Sequence, residues 1–195
     1  MHYCLVIFNA IAPHARQALT SLSLTETDIS SSNTPIKPAS FREALGHFAS
    51  GITIITTQVN DEPVGFTCQS FYSVSMKPPL VSFSVKASSF SYPKIRQEER
   101  FVINILSSEQ SHVCNQFAMR AADKWQGINW YLSKPVINVS LHWLDCEIHA
   151  EHPRGDHLHM VGEVKWLDLI IGDTSGPMLY IEGQYYILAI NRVFD

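Results

Sequence analysis

The chain has 195 residues, enough for one domain with a proper core or for one domain with an appendage. Hydrophobic residues make up 46% and charged residues 16%, which suits a compact enzyme domain and argues against general disorder. The formal net charge is −4 and no run of Lys or Arg occurs. That excludes nucleic acid as the main partner, because phosphate neutralisation needs clustered cations.

Cys4 to Ala12 is nearly all apolar, but a bilayer span takes roughly 20 such residues. No Lys or Arg precedes the stretch, since Arg16 comes after it, so neither a membrane segment nor a cleaved secretory leader is expected. The cysteines, Cys4, Cys68, Cys114 and Cys146, are scattered without a C-x-x-C pair. Their spacing suits neither a zinc site nor a disulfide framework, and reduced thiols in the cytoplasm are the simplest reading. Thr20 to Ser40 is dominated by Ser and Thr with Pro35 and Pro38, a composition that cannot build a core. Residues 1–40 are therefore expected as a poorly ordered extension, and 41–195 as the folded domain.

Ser40 is placed to cap a short helix with Glu43 at its third helical position, and Phe41, Leu45 and Phe48 form one apolar stripe of it. Gly51 stops that helix, and the β-branched run Ile52 to Thr57 predicts a strand. Asn60, Asp61 and Pro63 make a turn into a second strand, Val64 to Thr67. Leu80 to Lys86 alternates, with Val81, Phe83 and Val85 on one face and Ser82 and Ser84 on the other. Phe101 to Leu106 reads as a strand, and Ser108 to Ala122 as a helix with Val113, Phe117 and Ala118 on one stripe. Three strands follow, at about Leu141–Ala150, His157–Ile171 and Met178–Ile190, the last folded at Glu182-Gly183-Gln184. Strands outnumber helices and short turns join them, so the fold is mainly β, an antiparallel sheet closing into a barrel. There is no β-α alternation and no G-x-G-x-x-G, which excludes a Rossmann domain.

Three stretches carry candidate chemistry. Val64-Gly65-Phe66-Thr67-Cys68-Gln69-Ser70-Phe71, continuing through Ser73-Val74-Ser75 to Pro78-Pro79, runs a strand into a loop of small hydroxyl and amide side chains. Such a loop suits a phosphate or the polar edge of a flavin, and an ordinary polar turn has the same composition. Ala87-Ser88-Ser89-Phe90-Ser91 offers serines for a phosphate or ribityl chain, with Phe90 or Tyr92 to cover a ring, or else forms a Ser-rich surface turn. In Arg154-Gly155-Asp156-His157 the glycine suggests a tight turn and His157 opens a strand, where an imidazole can donate to a phosphate or carboxamide. His149, His152 and His159 lie nearby, but their spacing matches no standard zinc arrangement, so no metal is expected. No G-x-S-x-G elbow occurs, Cys68 has no local sign of activation, and Cys114 and Cys146 read as packed thiols. Trp125, Trp130, Trp143 and Trp166 read as core or interface residues.

Taken in order, these segments resemble the flavin reductase family of FMN-binding split barrels, specifically the reductase components of two-component flavin-dependent monooxygenases. The resemblance runs from Phe41-Arg42-Glu43-Ala44-Leu45-Gly46-His47-Phe48-Ala49-Ser50-Gly51-Ile52-Thr53 to about Tyr186. It takes in Gly65 to Phe71, Ser73-Val74-Ser75, Pro78-Pro79-Leu80-Val81, Phe101 to Leu106, and Gly155-Asp156-His157 with Gly162-Glu163-Val164. It implies a Greek-key-like antiparallel split barrel, a homodimer with flavin in a groove near the dimer interface, and NADH or NADPH as hydride donor to FMN or FAD. A separate oxygenase component would take the reduced flavin. By the same resemblance Thr67, Cys68, Gln69, Ser70, Phe71, Val74 and Ser75 line the isoalloxazine and ribityl region. Ser89, Phe90 and Ser91 hold the phosphate side with Asn104 close by, and Gly155, Asp156 and His157 meet the nicotinamide nucleotide, His157 as the catalytic candidate. Rival readings are a pyridoxamine-phosphate-oxidase-like enzyme and a flavin carrier without turnover. Tyr131 to Ser140 departs from the family pattern, keeping only Pro135, and residues 1–40 have no counterpart in it.

Overall fold

A computed structural model describes residues 35–119, 123–131, 134–138, 140–169 and 176–187. The chain divides into units of residues 1–40 and 41–195. The expectation of a loose N-terminal extension falls on residues 1–34, outside the described residues, as do the predicted ends of the last two long strands and of the helix ending at Ala122. Among the described residues there are three helices and ten strands: α1 (Pro38–Gly46), β1 (Ser50–Gly51), β2 (Thr53–Val59), β3 (Glu62–Cys68), β4 (Tyr72–Met76), β5 (Pro79–Lys86), α2 (Tyr92–Glu98), β6 (Arg100–Ile105), α3 (Ser111–Ala118), β7 (His142–Arg154), β8 (His157–Leu169), β9 (Met178–Ile181) and β10 (Gln184–Ile187). None of the described helices is long and apolar enough to cross a membrane.

Seven strands form one antiparallel sheet in the order β3-β2-β6-β7-β8-β5-β4, and β1-β9-β10 form a second. The two edge strands of the large sheet, β3 and β4, are neighbours in the chain, joined through Gln69, Ser70 and Phe71. The sheet therefore curls until its ends meet, without a β3–β4 ladder across the join. This is a split barrel.

The hairpin turns follow from local chemistry. Asn60-Asp61 (φ 50° and 64°) and Glu182-Gly183 (φ 51° and 80°) place both central residues in the left-handed region, the geometry that suits strand twist. Gly155 (φ 60°) opens the two-residue turn between β7 and β8. Register shifts at Asp145/Cys146 and Ile148/Ala150 bend that long hairpin around the barrel.

The β-branched run in β2 reflects burial on both faces. Ile55 packs inside the barrel with Phe83, Phe101, Ile103 and Met160. Ile52 and Ile54 pack outside it against Val113 and Phe117 of α3 and Met178 of β9. The threonines between them are buried because their hydroxyls find carbonyls: Thr53 donates to Cys68 O (3.1 Å), Thr56 to Pro135 O (2.7 Å) and Thr57 to Arg100 O (2.8 Å).

Several boundaries differ from the sequence expectation. Helix α1 begins at Pro38, so Ser40 lies within it; proline tolerates the first turn, where its missing N–H has no partner to lose. Its stripe is not buried: Phe41, Leu45 and Phe48 are 55%, 56% and 79% exposed. Helix α3 starts at Ser111 because residues 107–110 form a turn in which Gln110 Oε1 accepts from Ser107 N (2.9 Å). Strand β4 falls within the stretch expected as a polar loop, although Tyr72, Val74 and Met76 alternate with Ser73 and Ser75; as an edge strand it leaves nearly all its side chains exposed. Helix α2 hides behind the Ser-rich loop before it, with only Tyr92 and Ile95 to carry a buried face.

Gly162 on β8 faces Phe101, and a Cβ there meets the ring at 2.5 Å and Cys146 Cβ at 3.4 Å. Phe101 is itself only 1% exposed and has little room to yield. Gly162→Ala is expected to cost about 1–3 kcal/mol through overpacking, read as a lower urea midpoint at unchanged slope; an unchanged midpoint shows that the barrel relaxes freely there.

Candidate active site

The split between β3 and β4 is stapled by one hydroxyl. Strand β5 pairs with β4 only as far as Ser82↔Tyr72, which leaves Ser84 unpaired on that side. Ser70 Oγ accepts from Ser84 N (2.8 Å) and donates to Ser84 O (3.1 Å), standing in for the missing strand. Immediately beyond this staple opens a cleft of about 980 Å³, at the upper end of the range for small-molecule sites, about 300–1,000 Å³.

One wall of the cleft is the end of β3 and its loop, Phe66 to Ser70. A second is the end of β5 with Ser88 to Ser91, and a third is α3 through Cys114, Phe117 and Met119. His157, Lys124, Tyr180 and Tyr185 complete the lining. Of the residues singled out in the sequence, Thr67, Cys68, Gln69, Ser70, Ser89, Phe90, Ser91 and His157 therefore come together. Thr67 Oγ1 donates to Cys114 O (2.8 Å), which ties the β3 wall to the helix wall. Ser89 Oγ accepts from Tyr92 N (3.3 Å), so its own proton is available to a ligand. Phe90 is 82% exposed at the cleft, with Lys94 Nζ 4.8 Å from its ring centroid.

The remaining candidates lie elsewhere. Phe71 packs against the barrel core. Val74 and Ser75 sit on the edge strand β4, outside the cleft lining, with Ser75 Oγ accepting from Lys77 N (3.2 Å). Asn104 is fully buried and structural: its Nδ2 donates to Ile54 O (3.1 Å) and Thr56 Oγ1 (3.0 Å), and its Oδ1 accepts from Ile137 N (2.8 Å). Gly155 and Asp156 form the hairpin tip behind His157. Asp156 O accepts from Ala87 N (3.0 Å), binding that tip to the Ser-rich loop.

The Asp156 carboxylate lies 2.7 Å from His157 Nδ1. That hydrogen bond, helped by the charge interaction with His157, holds the Asp156 carboxyl below its usual range. A carboxylate at Nδ1 makes that nitrogen the protonated one of the neutral ring and leaves Nε2 for a ligand. The thiols are not nucleophiles. Burial raises Cys68 and Cys114, outweighing their hydrogen bonds, and raises Cys146 to about 12 with help from the Asp145 carboxylate. Tyr185 donates to Asn115 Oδ1 (2.7 Å) and lies 3.1 Å from Cys114 Sγ. Desolvation is the main reason its phenol pKa is raised, so the hydroxyl stays protonated.

Lys86, Lys124, Tyr180 and Tyr185 are lining residues that sequence reasoning missed. Tyr180 and Tyr185 face each other across the hairpin turned by Glu182-Gly183, a pairing the turn signal already implied. Lys124 carried no such signal, because only the packing of its turn against Gly65 brings it to the cleft.

Residues 45–189 match the family described as the flavin reductase like domain. The chain belongs to the flavin reductase-like family. Among curated relatives, the reductase subunit HsaB of a flavin-dependent monooxygenase from Mycobacterium tuberculosis is 40% identical over 77% of this chain and 82% of its own. An NADH:FMN oxidoreductase from Rhodococcus erythropolis is 32% identical over 91% of this chain and 94% of its own. The crystal structure of nitrilotriacetate monooxygenase component B from Mycobacterium thermoresistibile superposes with a TM-score of 0.75 at 40% identity, covering 77% of this chain and 86% of that one.

The reductase cleft fits a flavin on its own chemistry. Aromatic rings and hydroxyls line it, and among the described residues no carboxylate does. That donor set suits a large aromatic ligand bearing negative charge. Asn104→Ala is expected to act on the fold instead, leaving the buried Ile137 N–H unpaired at a cost of about 1–3 kcal/mol. Thermal unfolding and flavin titration of that variant separate the roles: lost affinity at unchanged stability would put Asn104 at the ligand after all.

Proposed function

We propose that this chain is an NAD(P)H:flavin oxidoreductase that supplies reduced flavin to a separate monooxygenase component. The observation that carries the reading is the cleft at the barrel split, rich in hydroxyls and aromatic rings, free of carboxylates among the described residues, and flanked by a histidine held on a carboxylate. The names of the relatives, a monooxygenase reductase subunit and an NADH:FMN oxidoreductase, support the same activity.

A bound flavin would supply the redox chemistry, as acceptor of the hydride that a nicotinamide nucleotide gives up. The protein's own task is then to bind, orient and exclude water. Thr67, Gln69 and Ser70 offer polar groups beside the staple that holds the split at fixed width. Ser89 offers its hydroxyl on the opposite wall, where Ser91 donates to Gly65 O, and the exposed Phe90 ring is free to cover an aromatic ligand. His157 Nε2 is the acceptor we assign to the nicotinamide nucleotide, with Asp156 at Nδ1 setting its tautomer and ring direction. Holding two rings at about 3–3.5 Å accounts for much of the acceleration such a site requires. No acid–base pair is needed, which agrees with the protonated Tyr185 and the thiols of the lining.

The same reading makes the chain a homodimer. The exposed apolar stripe Phe41, Leu45 and Phe48 supports it, since a second copy would remove that surface from water. Light scattering of the purified protein is expected to return a dimer's mass, and a monomer at micromolar concentration would overturn this part of the reading.

The deciding assay is loss of reduced-nicotinamide absorbance with FMN, FAD or no flavin added, using NADH and NADPH in turn. Flavin-dependent oxidation is expected; flavin binding without turnover by either donor would replace the reductase with a carrier. His157→Ala is expected to raise KM for the nicotinamide donor about tenfold and to leave the flavin Kd nearly unchanged. An unchanged KM removes His157 from the nucleotide site.

A further inference from the structure

The Ser88–Ser91 loop stands between two cavities. On one side lies the cleft, and on the other a groove of about 550 Å³ lined by Ala87, Tyr92, Arg96 and Leu158. A loop flanked by open space takes its position from hydrogen bonds more than from close packing. At its end Ser91 Oγ donates to Gly65 O (3.2 Å), and at its start Ala87 N donates to Asp156 O (3.0 Å) at the tip of the β7–β8 hairpin.

A third tie begins outside the cleft. Tyr92 opens α2 directly behind the loop, is 4% exposed, and packs its ring in the barrel core. Its N–H donates to Ser89 Oγ (3.3 Å), and its hydroxyl donates to the Glu151 carboxylate on β7. Arg96, one turn along α2, lies 3.5 Å from the same carboxylate oxygen. Glu151 lines neither cavity. It stands three residues before Arg154, where β7 ends and the turn to His157 begins. The loop wall and the His157 hairpin are thus joined twice, by backbone at Asp156 and by side chains at Glu151. A single hydrogen bond is a pivot about which the two elements can turn, and a second one set back along the hairpin removes that freedom.

We propose that Glu151 is a positioning residue for the reductase reaction: through Tyr92 it holds the loop wall of the cleft in register with the hairpin that carries His157. This rests on the reductase reading above and adds to it a residue that touches neither ligand. A flavin against the loop wall and a nicotinamide nucleotide at His157 meet at a distance set by how firmly these two elements are fixed to one another. Hydride transfer is sensitive to that distance, since a misplacement of about 1 Å can cost about 100-fold in rate. Each ligand binding on its own wall is not sensitive to it. The tie therefore acts on the rate of flavin reduction and leaves both affinities in place.

The test measures, on the full-length protein, the flavin Kd by fluorescence quenching, the KM for NADH or NADPH, and the single-turnover rate at which a saturating donor bleaches bound flavin. Tyr92→Phe keeps the ring in the core and loses only the hydroxyl. It is expected to slow flavin reduction about tenfold, with Kd and KM within about twofold of the wild type. Glu151→Ala is expected to do the same, and the double variant to be no slower than either single one, because both remove one contact. Glu151→Gln, whose amide oxygen still accepts from the phenol, is expected to keep most of the rate. An unchanged rate in Tyr92→Phe would overturn the proposal, and so would effects that multiply in the double variant. Flavin and donor binding weakened in proportion to the rate would overturn it too, by showing a general loosening of the cleft. Should Tyr92→Phe fail to fold, the two Glu151 variants decide, and equal rates in Glu151→Ala and Glu151→Gln would overturn the proposal. A wild type that binds flavin and oxidises neither donor overturns the reductase reading and the proposal with it. Wild-type turnover with unaffected variants strikes the proposal alone.

Discussion

A seven-stranded sheet that curls until its two edge strands meet has a choice at the join: close the ladder, or leave a gap and satisfy the edges otherwise. Here the chain passes from β3 to β4 through Gln69, Ser70 and Phe71 without the two strands pairing. Ser70 resolves the gap by giving both of its hydrogen-bonding functions to the Ser84 backbone. One side chain thus pairs both Ser84 backbone groups while leaving the edges apart. The cleft exists because of this arrangement. Thr67 to Gln69 stand on one side of the gap, Ser84 to Lys86 on the other, and the Ser88–Ser91 loop closes over them.

The cleft's electrostatics follow from which residues the core spares. The barrel interior takes Ile55, Phe83, Phe101 and Met160, and the outer cluster takes Ile54, Leu106 and Phe117. Both faces of β2 are consumed in that packing. The acidic groups near the barrel are occupied elsewhere. Asp145 pairs with Lys134 and Arg100, Glu151 with Tyr92 and Arg96, and Glu147 and Glu163 with Lys165. What remains at the cleft is neutral or cationic, a setting that favours an electron-rich ligand. A site that leaves bond-making to its cofactors can be built in this way from hydroxyls, carbonyls and rings.

Much of this was legible in the residue order. The β-branched run of β2, the alternation of β5 and the Gly155 turn each follow from a local rule, and so did most of the walls of the cleft, because Thr67 to Ser70 and Ser89 to Ser91 are contiguous stretches. Asn104 shows where such reading ends. A polar residue within an apolar strand looks the same whether it meets a ligand or ties the core, and only the cross-strand and loop partners Ile54, Thr56 and Ile137 make it structural. Val74 and Ser75 sit on an exposed edge strand: the alternation of Tyr72, Val74 and Met76 with Ser73 and Ser75 marks a strand, but no local pattern tells that it lies at the sheet edge outside the cleft.

By itself the sequence determined the strand-rich architecture, the position of the tight turns and the family, because these rest on short-range periodicity, turn stereochemistry and motif order. Only the tertiary structure decided that Ser70 staples the split, that Lys124 and Ser91 share the Gly65 carbonyl, and that Tyr180 and Tyr185 reach the same cleft. Those juxtapositions join residues from 14 to 71 positions apart in the chain. They arise from barrel closure and from the packing of α3 on β2 and β3, and no local pattern of residues records a contact made at that range.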